Sequence, residues 1–207
     1  MNKTRSSRAR SGDNTLRIIG GRWRGRKLHF PSAPGLRPTG DRVRETLFNW
    51  LAPRLPGAHC LDLFAGSGAL GLEALSRGAA SSVLIDSSAP VCRALRDHGQ
   101  TLQAGPALQV VQADALAWLN TGEALQQGRF AVAFVDPPFQ AGILDRVLET
   151  LAHAGVLAPN ALIYIEHATT QAVGYPAGWR TARQQRAGQV SYALLEAAAV
   201  ATAAPVD

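Results

Sequence analysis

The sequence predicts an α/β fold: a doubly wound, mostly parallel sheet, an antiparallel hairpin at its C-terminal end, and a small basic hairpin-and-helix extension in front. Three observations predict it. Five short apolar runs alternate with amphipathic stretches between His59 and Glu166, a glycine-rich turn follows the first run, and positive charge gathers ahead of the alternating region. Alternation at this spacing implies right-handed βαβ units, whose strands are covered by helices on both faces.

Residues 1–15 are basic and Ser-rich with no apolar stretch behind them, so they read as a disordered tail and not as a secretory signal. Residues 16–58 form the extension. From Arg17 to Phe30 cations alternate with Ile18, Ile19, Trp23, Leu28 and Phe30 around Gly20-Gly21 and Gly25, the pattern of a short strand pair with one basic face. Beyond Pro31, Pro34 and Pro38 a helix opens near Thr39 or Asp41. Val43, Leu47, Trp50 and Leu51 form its apolar stripe, Arg42, Arg44 and Glu45 lie off it, and Pro53 and Pro56 end it. The body, 59–198, places strands at 60–64, 83–86, 108–112, 130–136 and 161–166 with helices between. Two further strands, 179–186 and 190–198, meet at Gly188-Gln189. That link is too short for a parallel crossover, so they pair antiparallel at one end of the sheet. The Ala-rich residues 199–207 read as a flexible terminus.

The 207 residues, 46% hydrophobic and 17% charged, suffice for one full core with an appendage. No apolar run approaches the roughly 20 residues that cross a bilayer, and the chain is read as soluble, cytoplasmic and monomeric. Cys60 and Cys92 are the only cysteines, too few for a disulfide framework or a Cys-based zinc site. The five histidines show no ligand spacing, so no metal is expected, and the signatures of serine hydrolases and nucleoside triphosphatases are absent. The net charge of +6 hides an asymmetry. Residues 1–58 carry 13 Lys/Arg against three acids, and the remainder carries eight Arg against 12 acids. Such a split points to a basic surface that meets nucleic acid, joined to a body of ordinary acidity. The candidate RNA-binding residues are Arg22, Arg24, Arg26, Lys27, Arg37, Arg42 and Arg44.

The stretch Leu61-Asp62-Leu63-Phe64-Ala65-Gly66-Ser67-Gly68-Ala69-Leu70-Gly71 turns the first strand into a helix. Gly66 and Gly68 permit a tight turn against which a ligand can lie, and Gly71 permits close helix packing. Asp86 ends the next strand, 20 residues after Gly66, where a carboxylate can accept from both ribose hydroxyls of an adenosine cofactor. A nicotinamide dinucleotide and S-adenosylmethionine both fit these features. Asp62 separates them, because its carboxylate would repel a pyrophosphate and attract a sulfonium and an ammonium, unless it serves only to tie down the loop. Asp114, after the third strand, can accept from an adenine amino group and can also cap the next helix. Asp62, Phe64, Gly66, Gly68, Asp86 and Asp114 are therefore the candidate cofactor-binding residues.

The fourth strand runs into Asp136-Pro137-Pro138-Phe139. Two prolines stiffen the backbone and remove two N–H donors, leaving carbonyl acceptors beside a carboxylate. Acceptors suit an amino group. Hydrogen bonds from an exocyclic base nitrogen to Asp136 and the Pro137 carbonyl help localise its lone pair, and Phe139 offers a face on which an extracted base can stack. These four residues are the candidate catalytic segment for in-line methyl transfer. Glu166-His167, at the fifth strand end, is read as packing or polar lining of the cleft.

Together these blocks resemble the bacterial RsmD family. The likeness covers roughly residues 16–198. It rests on residues 17–27 (Arg17-Ile18-Ile19-Gly20-Gly21-Arg22-Trp23-Arg24-Gly25-Arg26-Lys27), on residues 36–51 from Leu36-Arg37-Pro38-Thr39 to Trp50-Leu51, on the glycine turn, on Asp136-Pro137-Pro138-Phe139, and on Gly188-Gln189-Val190-Ser191-Tyr192. The resemblance implies a class I methyltransferase with a Rossmann-like sheet that methylates a guanine N2 in 16S ribosomal RNA, at nucleotide 966, within the small ribosomal subunit or its assembly intermediate, using S-adenosylmethionine. It further implies that Asp62, Gly66, Gly68, Asp86 and Asp114 line the cofactor, that Asp136 to Phe139 hold the guanine, and that the 37–45 block sits over the site. Two positions depart from the pattern: Gly40 replaces a common hydroxyl residue, and Asp86 a frequent Glu. The rival activities are DNA adenine-N6 methylation, a non-catalytic RNA-binding role in ribosome assembly and, more remotely, NAD-dependent oxidoreduction.

Overall fold

The computed structural model describes residues 14–30, 40–138 and 142–198. β1 (Thr15–Arg17) and β2 (Lys27–His29) pair antiparallel, as the alternation of cations and apolar residues predicts. They are followed by α1 (Asp41–Leu51), β3 (His59–Asp62), α2 (Gly71–Ser76), β4 (Ser81–Asp86), α3 (Ala89–Thr101), β5 (Leu108–Gln112), α4 (Ala115–Leu119), α5 (Gly122–Gln126), β6 (Phe130–Val135), α6 (Ile143–His153), β7 (Leu157–Ala168), β8 (Arg180–Ala187) and β9 (Val190–Glu196). The large sheet has the order β5-β4-β3-β6-β7-β9-β8. β3 to β7 are parallel, and β9 and β8 close the sheet antiparallel.

Strand alternation sends side chains to two cores. Leu84, Val132, Phe134, Leu162 and Tyr164 face α1, α2, α3 and the β1–β2 ribbon, whereas Val83, Ile85, Ala133, Val135, Ile163 and Ile165 face α4, α5 and α6. The ribbon is part of the first core, to which it contributes the buried Leu16, Ile18, Trp23, Leu28 and Phe30.

Several boundaries differ from the sequence reading for identifiable reasons. β3 stops at Asp62, two residues early, because the Asp62 carboxylate turns back to accept from the Gly71 N–H (3.1 Å) and the Phe64 N–H. β7 begins at Leu157, earlier than its apolar run, by adding an exposed segment in which Asn160 takes a positive φ of 56°. Arg44 lies on the inner side of α1, with Leu47, Phe48 and Leu51, and is 1% exposed. Cys60 and Cys92 are buried free thiols, and burial, with the nearby Asp62, pushes Cys60 up to about 12.

Candidate active site

The crevice of an open α/β sheet forms where successive crossovers leave in opposite directions, outside the strand carboxyl ends. Here that point lies between β3 and β6. From β3 the chain goes to β4 and β5 on one side, then returns to β6 and β7 on the other. Asp62 and Asp86 end β3 and β4, Asp114 follows β5 by two residues, and Asp136 follows β6 directly. All four predicted acids therefore reach one edge of the sheet.

On the β3–β4 side the acids hold the glycine turn. Gly66 and Gly68 adopt φ of 50° and 80°, and a Cβ on Gly68 would meet side-chain carbons of Leu72 and Leu95 at 2.7 Å. A side chain at Gly68 would collide with the core, so the turn packs tightly against α2 and α3 only with glycine there. Asp86 accepts from the Gly66 N–H (2.9 Å) and the Ser88 N–H (2.8 Å), so the second strand braces the turn of the first. Asp62 is 2% exposed; burial, reinforced by the Asp86 carboxylate, pushes its carboxyl up to about 7 against the lowering effect of the Gly71 and Phe64 N–H groups. The loop-tying role of Asp62 is thus present. Phe64 is half-buried against the second core. Asp114 caps α4 by accepting from the Ala117 N–H at 2.9 Å.

On the β6–β7 side Asp136 is half-buried, Pro137 buried and Pro138 exposed; Phe139 lies outside the described residues. Of the pair that the sequence reads as packing or polar lining, Glu166 and His167, only Glu166 is joined here to a further residue, Tyr164, which the sequence did not single out. Tyr164 and Glu166 lie on the same face of β7, and the Tyr164 hydroxyl donates to Glu166 Oε1 at 2.6 Å in buried surroundings. Glu166 and His167 do not form a pair, because neighbours in a strand face opposite ways; the His167 Nδ1 lies 2.9 Å from the Ala168 carbonyl oxygen. A glutamate in a strand otherwise filled by Leu162, Ile163, Tyr164 and Ile165 was the signal in the sequence.

The basic ribbon is placed less simply. Arg22, Arg24, Arg26, Lys27 and Arg42 are exposed. Arg22 lies over the Trp23 ring at 4.1 Å, and Arg26 donates to the Thr101 carbonyl at 3.2 Å. The Trp23 N–H donates to Ser76 Oγ at 3.0 Å. Ser76 and Thr101 end helices that leave the carboxyl edge of the sheet, so this turn sits toward the opposite edge, flanking the body instead of framing the crevice. Arg37 lies outside the described residues. Arg44 corrects the expectation that it meets a phosphate. Its guanidinium is turned inward, donating to Asp41 Oδ1 (2.6 Å) and the Arg17 carbonyl (2.9 Å), with Glu73 Oε2 at 3.5 Å. Among the described residues no group of three or more His, Cys, Asp and Glu could hold a metal ion, and no helix is long and apolar enough to cross a membrane.

The sheet order and a glycine turn braced by strand-end carboxylates define a class I, Rossmann-like methyltransferase fold, and solved structures agree. An Escherichia coli structure described as a methyltransferase superposes with a TM-score of 0.81 at 46% identity, covering 89% of this chain and 98% of that one. A Haemophilus influenzae structure described as a methylase gives 0.76 at 38% identity, covering 89% and 99%. Small-subunit ribosomal RNA methyltransferase D of E. coli is 50% identical over 188 residues, 90% of this chain and 92% of that protein. The family described as Conserved hypothetical protein 95 matches residues 16–196. The chain belongs to this family, the RsmD family.

Proposed function

We propose that the protein transfers a methyl group from S-adenosylmethionine to the exocyclic N2 of a guanine in the 16S RNA of the small ribosomal subunit. The observation that carries this reading is the adjacency of β3 and β6. Asp62, which leads into the glycine turn, pairs with Phe134, and Asp136 stands two residues beyond Phe134, directly after the end of β6. A donor on that turn and an amine at Asp136 then share one crevice.

The residues fit the cofactor. The positive-φ glycine turn presents bare backbone at the carboxyl end of β3, Asp86 offers a carboxylate beside it for the ribose hydroxyls, and a cation beside the buried Asp62 stabilises the carboxylate form that burial disfavours. When bound, the cofactor supplies an electrophilic methyl on a sulfonium. The chain's own residues supply position and charge. Asp136 and the Pro137 carbonyl accept from the amino group, orient its lone pair along the S–CH3 axis, and stabilise the positive charge that develops as the N–C bond forms and the C–S pair returns to sulfur. After transfer the cationic nitrogen gives up its proton to solvent water, which restores the neutral N-methylated amine.

The test is nucleoside mass spectrometry of 16S RNA from small subunits of a strain lacking the protein, before and after incubation with protein and cofactor. N2-methylguanosine is expected only after incubation. N6-methyladenosine, or methyl incorporation into DNA alone, transfers the reading to an adenine methyltransferase, and tight subunit binding with no methylation leaves an assembly factor.

Two further results are expected. Replacing Arg22, Arg24 and Arg26 together by Ala weakens binding to the subunit RNA and lowers the log affinity–log salt slope by about 0.7 to 0.9 for each phosphate that is no longer neutralised; titration at several salt concentrations measures it, and an unchanged slope removes the ribbon from the RNA footprint. The second concerns Asp62. Its carboxyl is neutral below about pH 7 in the free protein and ionised above it, and only the ionised form attracts the cofactor's cations. The affinity ratio of wild type to Asp62→Asn therefore rises from pH 6 to pH 8, as calorimetry can determine. A ratio independent of pH confines Asp62 to holding the loop.

A further inference from the structure

Glu166 has no part in the reaction as described above, yet it is a carboxylate two residues from the carboxyl end of β7 and only 7% exposed. The register places it beside Asp136. Val132 pairs with Leu162, Phe134 with Tyr164 and Val135 with Ile165, so Asp136 and Glu166 come next on neighbouring parallel strands. Val132, Phe134, Leu162 and Tyr164 share one core, and the same alternation continues to the two acids. Neighbouring strands lie about 4.8 Å apart. The electrostatics of Tyr164 agree with this placement: burial foremost, then Glu166 and Asp136, raise its hydroxyl well above the ordinary tyrosine value. Glu166 is also fixed in orientation. The Tyr164 hydroxyl donates to its Oε1 at 2.6 Å, and Tyr164 is walled by Phe134 and Tyr192, with ring centroids 6.5 and 6.4 Å away.

Two acceptors side by side match one feature of the bases. Guanine presents two adjacent donors on its Watson–Crick edge, N1–H and the N2 amino group, whereas adenine presents an acceptor at N1 beside its amino group, and cytosine an acceptor at N3. Flipped bases are read on this edge. A second carboxylate beside Asp136 therefore rewards guanine and repels the N1 lone pair of adenine. We infer that Glu166, held by Tyr164, is the specificity-determining residue that accepts from guanine N1–H while Asp136 holds the N2 amino group. This rests on the guanine-N2 reading above.

The test compares small subunits reconstituted with 16S RNA carrying guanine or 2-aminopurine at the methylated position. 2-Aminopurine keeps the exocyclic amine but has a lone pair at N1. The full-length wild-type protein is expected to favour guanine by at least about 100-fold in kcat/KM, as a site built around a substrate N–H rejects an analogue without it. Glu166→Gln, whose amide can donate to that lone pair, is expected to shrink the ratio by at least about tenfold, and Tyr164→Phe by less. Wild-type rates that are equal on the two bases overturn the inference whether or not the variants fold. So does a folded Glu166→Gln protein, with normal cofactor affinity, that loses activity on both bases in the same proportion. Either result leaves N2-methylguanosine formation standing, whereas failure of the guanine reading itself appears as wild-type methylation at adenine.

Discussion

Asp136→Ala is expected to lower kcat/KM for methylation of small-subunit RNA by about 100- to 1,000-fold, the range found when one group that stabilises developing charge is removed from a preorganised site. The position of Asp136 makes the effect specific. It lies at the end of β6, next to the β3 end but on the other side of the switch in strand order from Asp86 and the glycine turn. Cofactor affinity should accordingly change by less than about threefold, because Asp62 and Asp86, which brace the turn, are untouched. Asp136→Asn keeps an acceptor oxygen and removes the charge. It is expected to recover part of the KM effect and little of kcat, which separates holding the amine from stabilising its positive charge. Single-turnover rates and cofactor calorimetry on the same preparations measure the two arms. An Asp136→Ala protein that transfers methyl at the wild-type rate would place the acceptor elsewhere and leave the Asp-Pro-Pro segment a structural turn.

The body was legible in the sequence because two periodicities and one kind of punctuation agree. The β5 run matches the strand residue for residue, and the Gly188-Gln189 turn correctly implied an antiparallel pair at the sheet end. The acids at the carboxyl edge were legible for a related reason. A polar residue that ends an apolar strand before a glycine or proline turn has nowhere to go except the strand end. What the sequence did not separate is a cleft acid from a brace. Asp86 and Asp114 both accept from backbone N–H groups of the turns that follow them, a use that depends on how the chain folds back. Glu166 shows the converse case, since its meaning comes from the register of β7 against β6, which no local pattern encodes. Arg44 was misplaced because an arginine between Val43 and Leu47 reads as solvent-facing unless its buried partner on another helix is known. That partner had a local signal: Glu73 stands in Leu72-Glu73-Ala74-Leu75, where every residue of α2 is buried.

Replacing Glu73 by Ala should destabilise the protein by about 3–5 kcal/mol, the cost of removing the fully buried anion from an ion-pair cluster, although Arg44 keeps Asp41 at 2.6 Å. Glu73 is 0% exposed and gathers three segments of the chain. Its Oε2 accepts from the Ile19 N–H at 2.9 Å and faces the Arg44 guanidinium at 3.5 Å, and its Oε1 accepts from Arg77 Nε at 2.7 Å. The first of these ties it to the basic ribbon, the second to α1, and the third lies within the turn that ends α2. Arg44 completes the joint by donating to the Arg17 carbonyl at 2.9 Å. Burying such a cluster is not in itself a gain over apolar packing. Its consequence is geometric, because the charges can be satisfied only when ribbon, α1 and α2 meet in this one arrangement. Arg44→Met should cost less, about 1–3 kcal/mol, since Glu73 then keeps Arg77 and the Ile19 N–H. Urea denaturation of both single variants and of the double variant gives the coupling, which is expected to be favourable and above about 0.5 kcal/mol for groups in one network. Limited proteolysis adds a spatial readout. In Glu73→Ala cleavage should appear first in the ribbon, whose anchor is gone, and additive single effects with an equally protected ribbon would show that the apolar packing of Ile18 and Trp23 alone holds it to the body.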